Sequence, residues 1–325
     1  MNVLSPEESR THSVFSFVGI EGAGAGRWIM LGFLALLAWA GGVAYLGPYR
    51  PNDVSRMLAG FAPLETIYLA SLAISVLISV VAVAFRHWSL AWAAGTVAGY
   101  LGGFVGMSVL FSQMPPGVVI PLGGVDDALN FALSRLWFAG PIVVLLLVVW
   151  IALGQRAGAG HPPLGFGNWL VKSRDLIAAE PLQSWLAKLL GGYLLFVAVL
   201  VVLIQAPVGF KPLLQGALWP LLTAVLIAAA ANALAEEFVY RGFILPAFVQ
   251  YGGVAAGLWM QGLFFGIIHW GLGVGVLAAL PVSMLIGIGS VVWGKATHET
   301  GGLWWAVVAH FLVDVAIMGA YFVPH

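Results

Sequence analysis

Ala233-Leu234-Ala235-Glu236-Glu237-Phe238-Val239-Tyr240-Arg241 sets three charged residues inside an apolar run that extends over 216–249. A charge at the centre of a membrane-crossing helix costs roughly 2.5–3.5 kcal/mol on insertion scales, so such groups face the protein interior and pair there. His269, His310 and Asp314 lie within, or at the end of, later apolar runs, which makes six ionisable residues in the most apolar third of the chain. The composition supplies the setting: 61% hydrophobic and 8% charged, where a soluble domain carries about 25% charged residues. The fold class that follows is all-α, a polytopic transmembrane helix bundle with a C-terminal helix core that gathers these groups.

Runs of about 20 apolar residues mark crossings, and they predict nine spans near 28–47, 66–85, 89–112, 137–154, 188–206, 216–249, 254–274, 275–293 and 302–322. Only Gly271-Leu272-Gly273-Val274-Gly275 separates the seventh from the eighth, so eight to nine is the expected count. Three regions follow: a cytoplasmic tail over 1–27, an N-terminal membrane region over 28–206 whose role carries no readable motif, and a C-terminal core over 207–325. Pro246 lacks a backbone donor and predicts a bend in the long sixth run. The connection over 155–187 holds Arg156, Lys172, Arg174, Asp175 and Glu180. With Trp169 and Trp185 it reads as an amphipathic segment on the membrane surface or as a solvated loop.

The remaining polar residues are read as structural or peripheral. Asp126 and Asp127 mark a helix start between spans, Arg135 is placed with them, and His87, His161 and His325 are placed in loops or at the terminus. A net charge of zero gives no reason to expect nucleic acid, and the absence of cysteine excludes disulfides, thiolate ligands and a cysteine nucleophile. The polar first 26 residues do not resemble a cleavable signal. Loop charges set the orientation. Arg10, Arg27, Arg86, Arg156, Lys172, Arg174, Lys188 and Lys295 fall on one side, and Arg50, Arg56, Arg135 and Lys211 on the other, eight against four. The N-terminus is therefore expected in the cytoplasm and the protein in the plasma (inner) membrane.

The polar groups converge by simple arithmetic. Tyr251-Gly252-Gly253 signals a turn between the sixth and seventh spans; Glu236 lies 16 residues before Gly252 and His269 lies 17 after it. At about 1.5 Å per residue both sit roughly 25 Å from that turn. A last span starting near Gly301-Gly302 brings His310 and Asp314 to a comparable depth. Glu237 and Arg241 are i,i+4, the spacing of a helical ion pair, and Glu236 is rotated away from them by about 100°. His310 and Asp314 are also i,i+4, and Phe265 stands one turn before His269, where it walls that side of the cluster.

A carboxylate facing two imidazoles in a dry interior suits hydrolysis: Glu236 as base for a water, one imidazole assisting, the other donating to an oxyanion. The chain carries no Gly-x-Ser-x-Gly, and His298-Glu299 continues as Thr300-Gly301-Gly302 rather than as a zinc-protease helix motif. Glu236-Glu237-x-x-x-Arg241, Phe265-x-x-x-His269 and His310-x-x-x-Asp314, in that order on separate spans, resemble the motif series of the CAAX prenyl protease and bacteriocin-processing (CPBP, or Abi) family. The resemblance covers about 215–320 and includes Arg241-Gly242-Phe243 and Thr300-Gly301-Gly302-Leu303-Trp304. It implies a glutamic intramembrane endopeptidase acting on a peptide or membrane-protein substrate from the cytoplasmic side of the bilayer. Glu236 would be the base and His269 its helper. His310 and Asp314 would serve the oxyanion or orient the water, and Glu237 and Arg241 would support the site. The family often has Asn where this chain has Asp314, so the Asp is either protonated or holds and charges His310.

Two other classes fit the same residues: a proton-coupled transporter, since buried Glu, Asp and His also build relays, and a catalytically silent scaffold or immunity-type protein. Internal repeats, common in transporters, are not evident. No cofactor is expected; a zinc site on Glu236, His269, His310 and Asp314 is the variant reading by ligand type, and the family resemblance argues against it.

Overall fold

The computed structural model describes residues 24–46, 59, 62–112, 125–174, 181–205, 219–269 and 276–322. Nine helical rods lie among them. They are α1 (Ala25–Leu46), α2 (Leu64–Ala84), α3 (Trp88–Ser112), α4 (Val125–Val149, continued by a π turn over Trp150–Gly154) and α5. α5 comprises Trp185–Lys188, a π turn over Leu189–Tyr193, and Leu194–Gln205. α6 comprises Trp219–Glu237, a π turn over Phe238–Ile244, and Leu245–Gly252. α7 (Val254–Ile268), α8 (Val276–Thr300) and α9 (Trp304–Phe322) complete the bundle. The Gly271–Gly275 link, most of the 1–27 tail, Arg10, Arg50, Arg56, Asp175, Glu180, Lys211 and His325 lie outside the described residues.

The burial pattern is that of a membrane protein. On α2 the buried positions are Tyr68, Ser71, Ser75, Ser79 and Ala82, while Leu69, Leu77 and Val80 are each close to 60% exposed. Small and polar side chains thus pack inward and large apolar ones outward, the arrangement hydrocarbon favours because it offers no penalty to exposed leucine. Ala25–Tyr45, Leu64–Ala84, Ala128–Gly154 and Trp219–Gly252 are long and apolar enough to cross a membrane. Trp185–Val199, Val254–Ile268 and Trp304–Gly319 are apolar but shorter.

Several boundaries differ from the sequence expectation. The fourth span begins at Val125 rather than near 137, so Asp126 and Asp127 do mark a helix start, and Arg135 lies well inside α4. The eighth span runs on to Thr300 and takes Lys295 into α8, where Lys295 is buried and ion-paired with Glu299. Neither Arg135 nor Lys295 is therefore a loop charge. Hydropathy alone cuts a helix at its first charges, although backbone hydrogen bonding continues through them.

A π turn ends just before Pro246, where the sequence predicts a bend. Pro246 falls in the first turn of the Leu245–Gly252 segment, where a missing N–H costs nothing. The turn between α6 and α7 is where Tyr251-Gly252-Gly253 signalled it, with Gly253 at φ 84°, a left-handed value that glycine adopts without penalty. α7 then packs closely on α8: a Cβ on Gly266 would overlap Ser283 O and Gly287 Cα, and one on Gly262 would meet Gly287 O at 2.9 Å. This small-residue contact sets the distance between the two helices.

Among its described residues, the connection between α4 and α5 holds no amphipathic helix: residues 155–170 run irregular and largely exposed, as a solvated loop does, and lead into a short hairpin. Lys172–Arg174 (β1) pairs antiparallel with Pro181–Ser184 (β2). Gly165 O accepts from Leu303 N at 2.9 Å and Thr300 O accepts from Asn168 N at 2.8 Å, which ties the connection to the α8–α9 turn. Trp185, only 2% exposed, meets Trp305 edge-on with ring centroids 4.9 Å apart. Its Nε1 donates to Glu299 at 2.9 Å, and its carbonyl accepts from Trp305 Nε1 at 2.7 Å.

Candidate active site

The site forms where α6, α7 and α9 meet, the three spans on which the sequence placed it, and α4 closes a fourth side. Glu236 and Glu237 end the α-helical part of α6, and Arg241 sits in the π turn that follows. A π turn gains one residue per turn over an α turn and is often found at functional sites. His269 caps the C-terminus of α7. His310 and Asp314 face inward from α9, both buried.

Glu237 is fully buried and anchors the centre. Its Oε1 accepts from Arg241 Nη1 at 2.6 Å and faces His310 Nδ1 at 2.8 Å. A carboxylate only accepts, so the proton on that face of His310 belongs to Nδ1. Arg241 is held further by Ser290 on α8, whose Oγ accepts at 2.7 Å, and its guanidinium lies 4.5 Å over the Phe265 ring and 5.1 Å over Trp293. The sequence reading gave Glu237 and Arg241 a self-contained pair. The structure adds His310 as a third member, because the turn of α9 that carries it abuts the end of α6.

Glu236 is arranged differently. Its Oε2 lies 3.8 Å from His269 Nε2 and 3.8 Å from His310 Nε2. These separations exceed a direct hydrogen bond and suit groups that act together on a third atom. His269 Nδ1 lies 2.7 Å from Phe265 O. A carbonyl can only accept, so Nδ1 bears the proton, and Nε2 of the neutral ring is an acceptor turned toward Glu236. Phe265 also walls the site as expected, its ring centroid 4.6 Å from His269 and 5.9 Å from His310. Trp293 stacks on His310 at 4.6 Å.

Asp314 Oδ1 is 3.5 Å from His310 Nε2, and its Oδ2 accepts from Asn232 Nδ2 at 2.9 Å. All six sequence-predicted residues are therefore brought together. Among the described residues no group of three or more His, Cys, Asp or Glu is spaced to hold a metal ion.

The sequence reading missed Asn232, Ser290, Trp293 and Arg135. Asn232 is one helical turn before Glu236, so its i,i+4 spacing was the available signal. Arg135 had a fainter one: Ala128, Ala132 and Ala139 form a buried stripe on α4, and position 135 falls on the same helical face. Its Nη1 lies 3.8 Å from Glu236 Oε1, and its guanidinium lies 4.7 Å over the Phe131 ring. Ser290 and Trp293 carried no signal beyond membership of an apolar helix.

An apolar helix bundle with ionisable groups gathered inside it defines an integral membrane protein of the all-α class. Its C-terminal third takes the description further. Residues 217–316 match the family model described as Rce1-like, type II CAAX prenyl endopeptidase. The match supports the CPBP/CAAX protease family, and with it a CAAX-type intramembrane protease in general. No curated protein and no solved structure matches the chain.

Proposed function

We propose that this protein is a glutamate-dependent intramembrane endopeptidase whose base is Glu236. The observation that supports this best is the placing of Glu236 Oε2 at 3.8 Å from two imidazole Nε2 atoms at once. In the reaction, Glu236 takes a proton from water as the water oxygen attacks the scissile carbonyl carbon. The neutral His269 Nε2 accepts a hydrogen bond from the same water. The carbonyl oxygen becomes an oxyanion, and His310 is the donor placed to meet it. Because Glu237 holds the Nδ1 proton, His310 presents Nε2–H only as the doubly protonated ring. Glu237 on one side and Asp314 on the other balance that charge. Collapse of the tetrahedral intermediate breaks the C–N bond, and the proton held by Glu236 passes to the leaving amine.

The charges close. With Glu236, Glu237 and Asp314 anionic and Arg135, Arg241 and His310 cationic, the cluster is neutral, as a site within a low-dielectric bundle requires. The N-terminus is assigned to the cytoplasm on the loop charges, and the substrate is a peptide or membrane protein.

The test is turnover of a peptide library by purified protein in liposomes, comparing wild type with Glu236→Gln, with and without chelator. Gln keeps the volume and removes the base, and we expect at least a ~10²-fold loss of rate with folding retained. Equal cleavage by both proteins would refute the mechanism, and loss on chelation would move the reading to a metal.

A further inference from the structure

Asp314 and His310 stand i,i+4 on α9, the spacing at which two helical side chains meet directly. A carboxylate and an imidazolium so placed in a dry interior close to about 2.7–2.9 Å. Here they do not: Asp314 Oδ1 stops 3.5 Å from His310 Nε2. The carboxylate is drawn across to another helix instead, where Asn232 Nδ2 donates to its Oδ2 at 2.9 Å. Asn232 is a fixed anchor. It lies inside α6, one turn before Glu236, and is only 5% exposed, between buried Ala231 and Ala233. Its orientation is set as well, because a carboxylate takes only the NH2 end of an amide. The other end, Oδ1, is buried without a partner. A buried acceptor without a donor is unfavourable, so the setting of this amide serves the one contact it makes.

The gap matters because of what His310 has to do. In the reaction above its Nε2–H is the donor that meets the oxyanion, and Glu237 already occupies Nδ1. A carboxylate at direct hydrogen-bond distance from Nε2 would take that proton for itself, since an anion outcompetes a neutral scissile carbonyl. The same carboxylate slightly further away still stabilises the imidazolium charge and leaves the proton free to point at the substrate. Resting on the protease reading above, we propose that Asn232 is a positioning residue that tethers Asp314 and holds it off His310, which keeps the oxyanion donor open. Asn232 acts through Asp314 and not on the substrate.

The experiment uses the full-length protein in liposomes and a peptide selected by cleavage from a library, with Asn232→Leu, Asp314→Asn and the double variant. Leu has the shape of Asn without its donor, and Asn232→Ala takes its place if Asn232→Leu does not fold. Without the tether, Asp314 closes on Nε2 and the oxyanion loses its donor. Loss of one such donor costs about 10²–10³ in rate. We expect kcat of Asn232→Leu to fall by about 10²-fold with KM unchanged, since the oxyanion exists only in the transition state. On the Asp314→Asn background the same change should cost no more than about twofold, the error of simple additivity, because a neutral amide competes weakly for the proton. Equal losses on both backgrounds, the mark of a purely structural Asn232, overturn the proposal. So does a rise in KM at constant kcat, the mark of a substrate contact, and so does full activity in Asn232→Leu. Unfolding midpoints read the tether without turnover. The coupling between Asp314 and His310, taken from Asp314→Asn, His310→Gln and both together, should rise by about 3 °C or more on the Asn232→Leu background. If wild type cuts no peptide and the coupling rises, the protease reading fails and the tether stands. An unchanged coupling removes the tether whatever the cleavage.

Discussion

Glu237→Gln offers the most direct measure of how the buried centre holds together. The wild-type carboxylate is fully buried and takes two charged or chargeable partners on one oxygen, Arg241 at 2.6 Å and His310 at 2.8 Å. Gln is nearly the same shape and can keep its oxygen where Oε1 meets both partners, with the NH2 at the unpartnered Oε2 position, but it removes the negative charge. Arg241 then keeps only neutral partners, that oxygen and Ser290, at 2.7 Å to the Oγ. Removing one member of a buried pair typically costs about 3–5 kcal/mol, since the remaining charge stays unpaired in a low dielectric. That is a large share of the roughly 5–15 kcal/mol by which folded proteins exceed their unfolded states. At about 2–3 °C per kcal/mol we expect the unfolding midpoint in detergent to fall by about 6–15 °C. Glu237→Gln/Arg241→Met should recover part of this, because the unpaired cation goes with its partner. A Glu237→Gln protein as stable as wild type would refute the reasoning, as would a double variant that is simply the sum of its parts.

Two further predictions concern packing and chemistry. Gly266→Ala should lower stability by about 2–3 kcal/mol, because its Cβ meets backbone on α8 rather than a movable side chain; an unchanged melting midpoint would show that the two helices part freely. Asp314→Asn should cost about tenfold in turnover, because it removes charge that balances His310 but keeps an oxygen that accepts from Asn232, whereas Asp314→Ala should cost about 10²-fold. Equal losses in both variants would mean that the charge of Asp314, and not its hydrogen bond, matters.

The sequence was legible where the physics is local or strictly periodic. Charges inside apolar runs, an i,i+4 spacing and a Gly-Gly turn were enough to bring Glu236, His269, His310 and Asp314 to one depth. It was not legible where a helix runs through its own polar residues. Arg135 and Lys295 looked like loop charges because hydropathy falls there, yet each finds a carboxylate partner, Glu236 and Glu299, that removes the reason for the helix to end. The anchoring of the 155–187 connection was missed for another reason. Its order comes from tertiary contacts of Trp185 and Gly165 with residues more than a hundred positions away, and no local pattern encodes these. The second partner of Glu237 belongs to the same class: His310 lies 73 residues on, and only the packing of α9 against α6 makes the bond.

The serines along the inner side of α2 and the leucines along its outer side reverse the usual rules for altering a protein. In a water-soluble helix, Leu to Ser is the damaging change and Ser to Leu at the surface the tolerated one. Here Ser75, with no exposure, sits where a larger side chain has no room, and Leu77, at 60% exposure, sits where a hydroxyl would do little harm to packing. Rendering this bundle soluble without detergent is therefore a problem of its outer coat. On α2 the inner side is already small and polar, and it is the part to leave untouched.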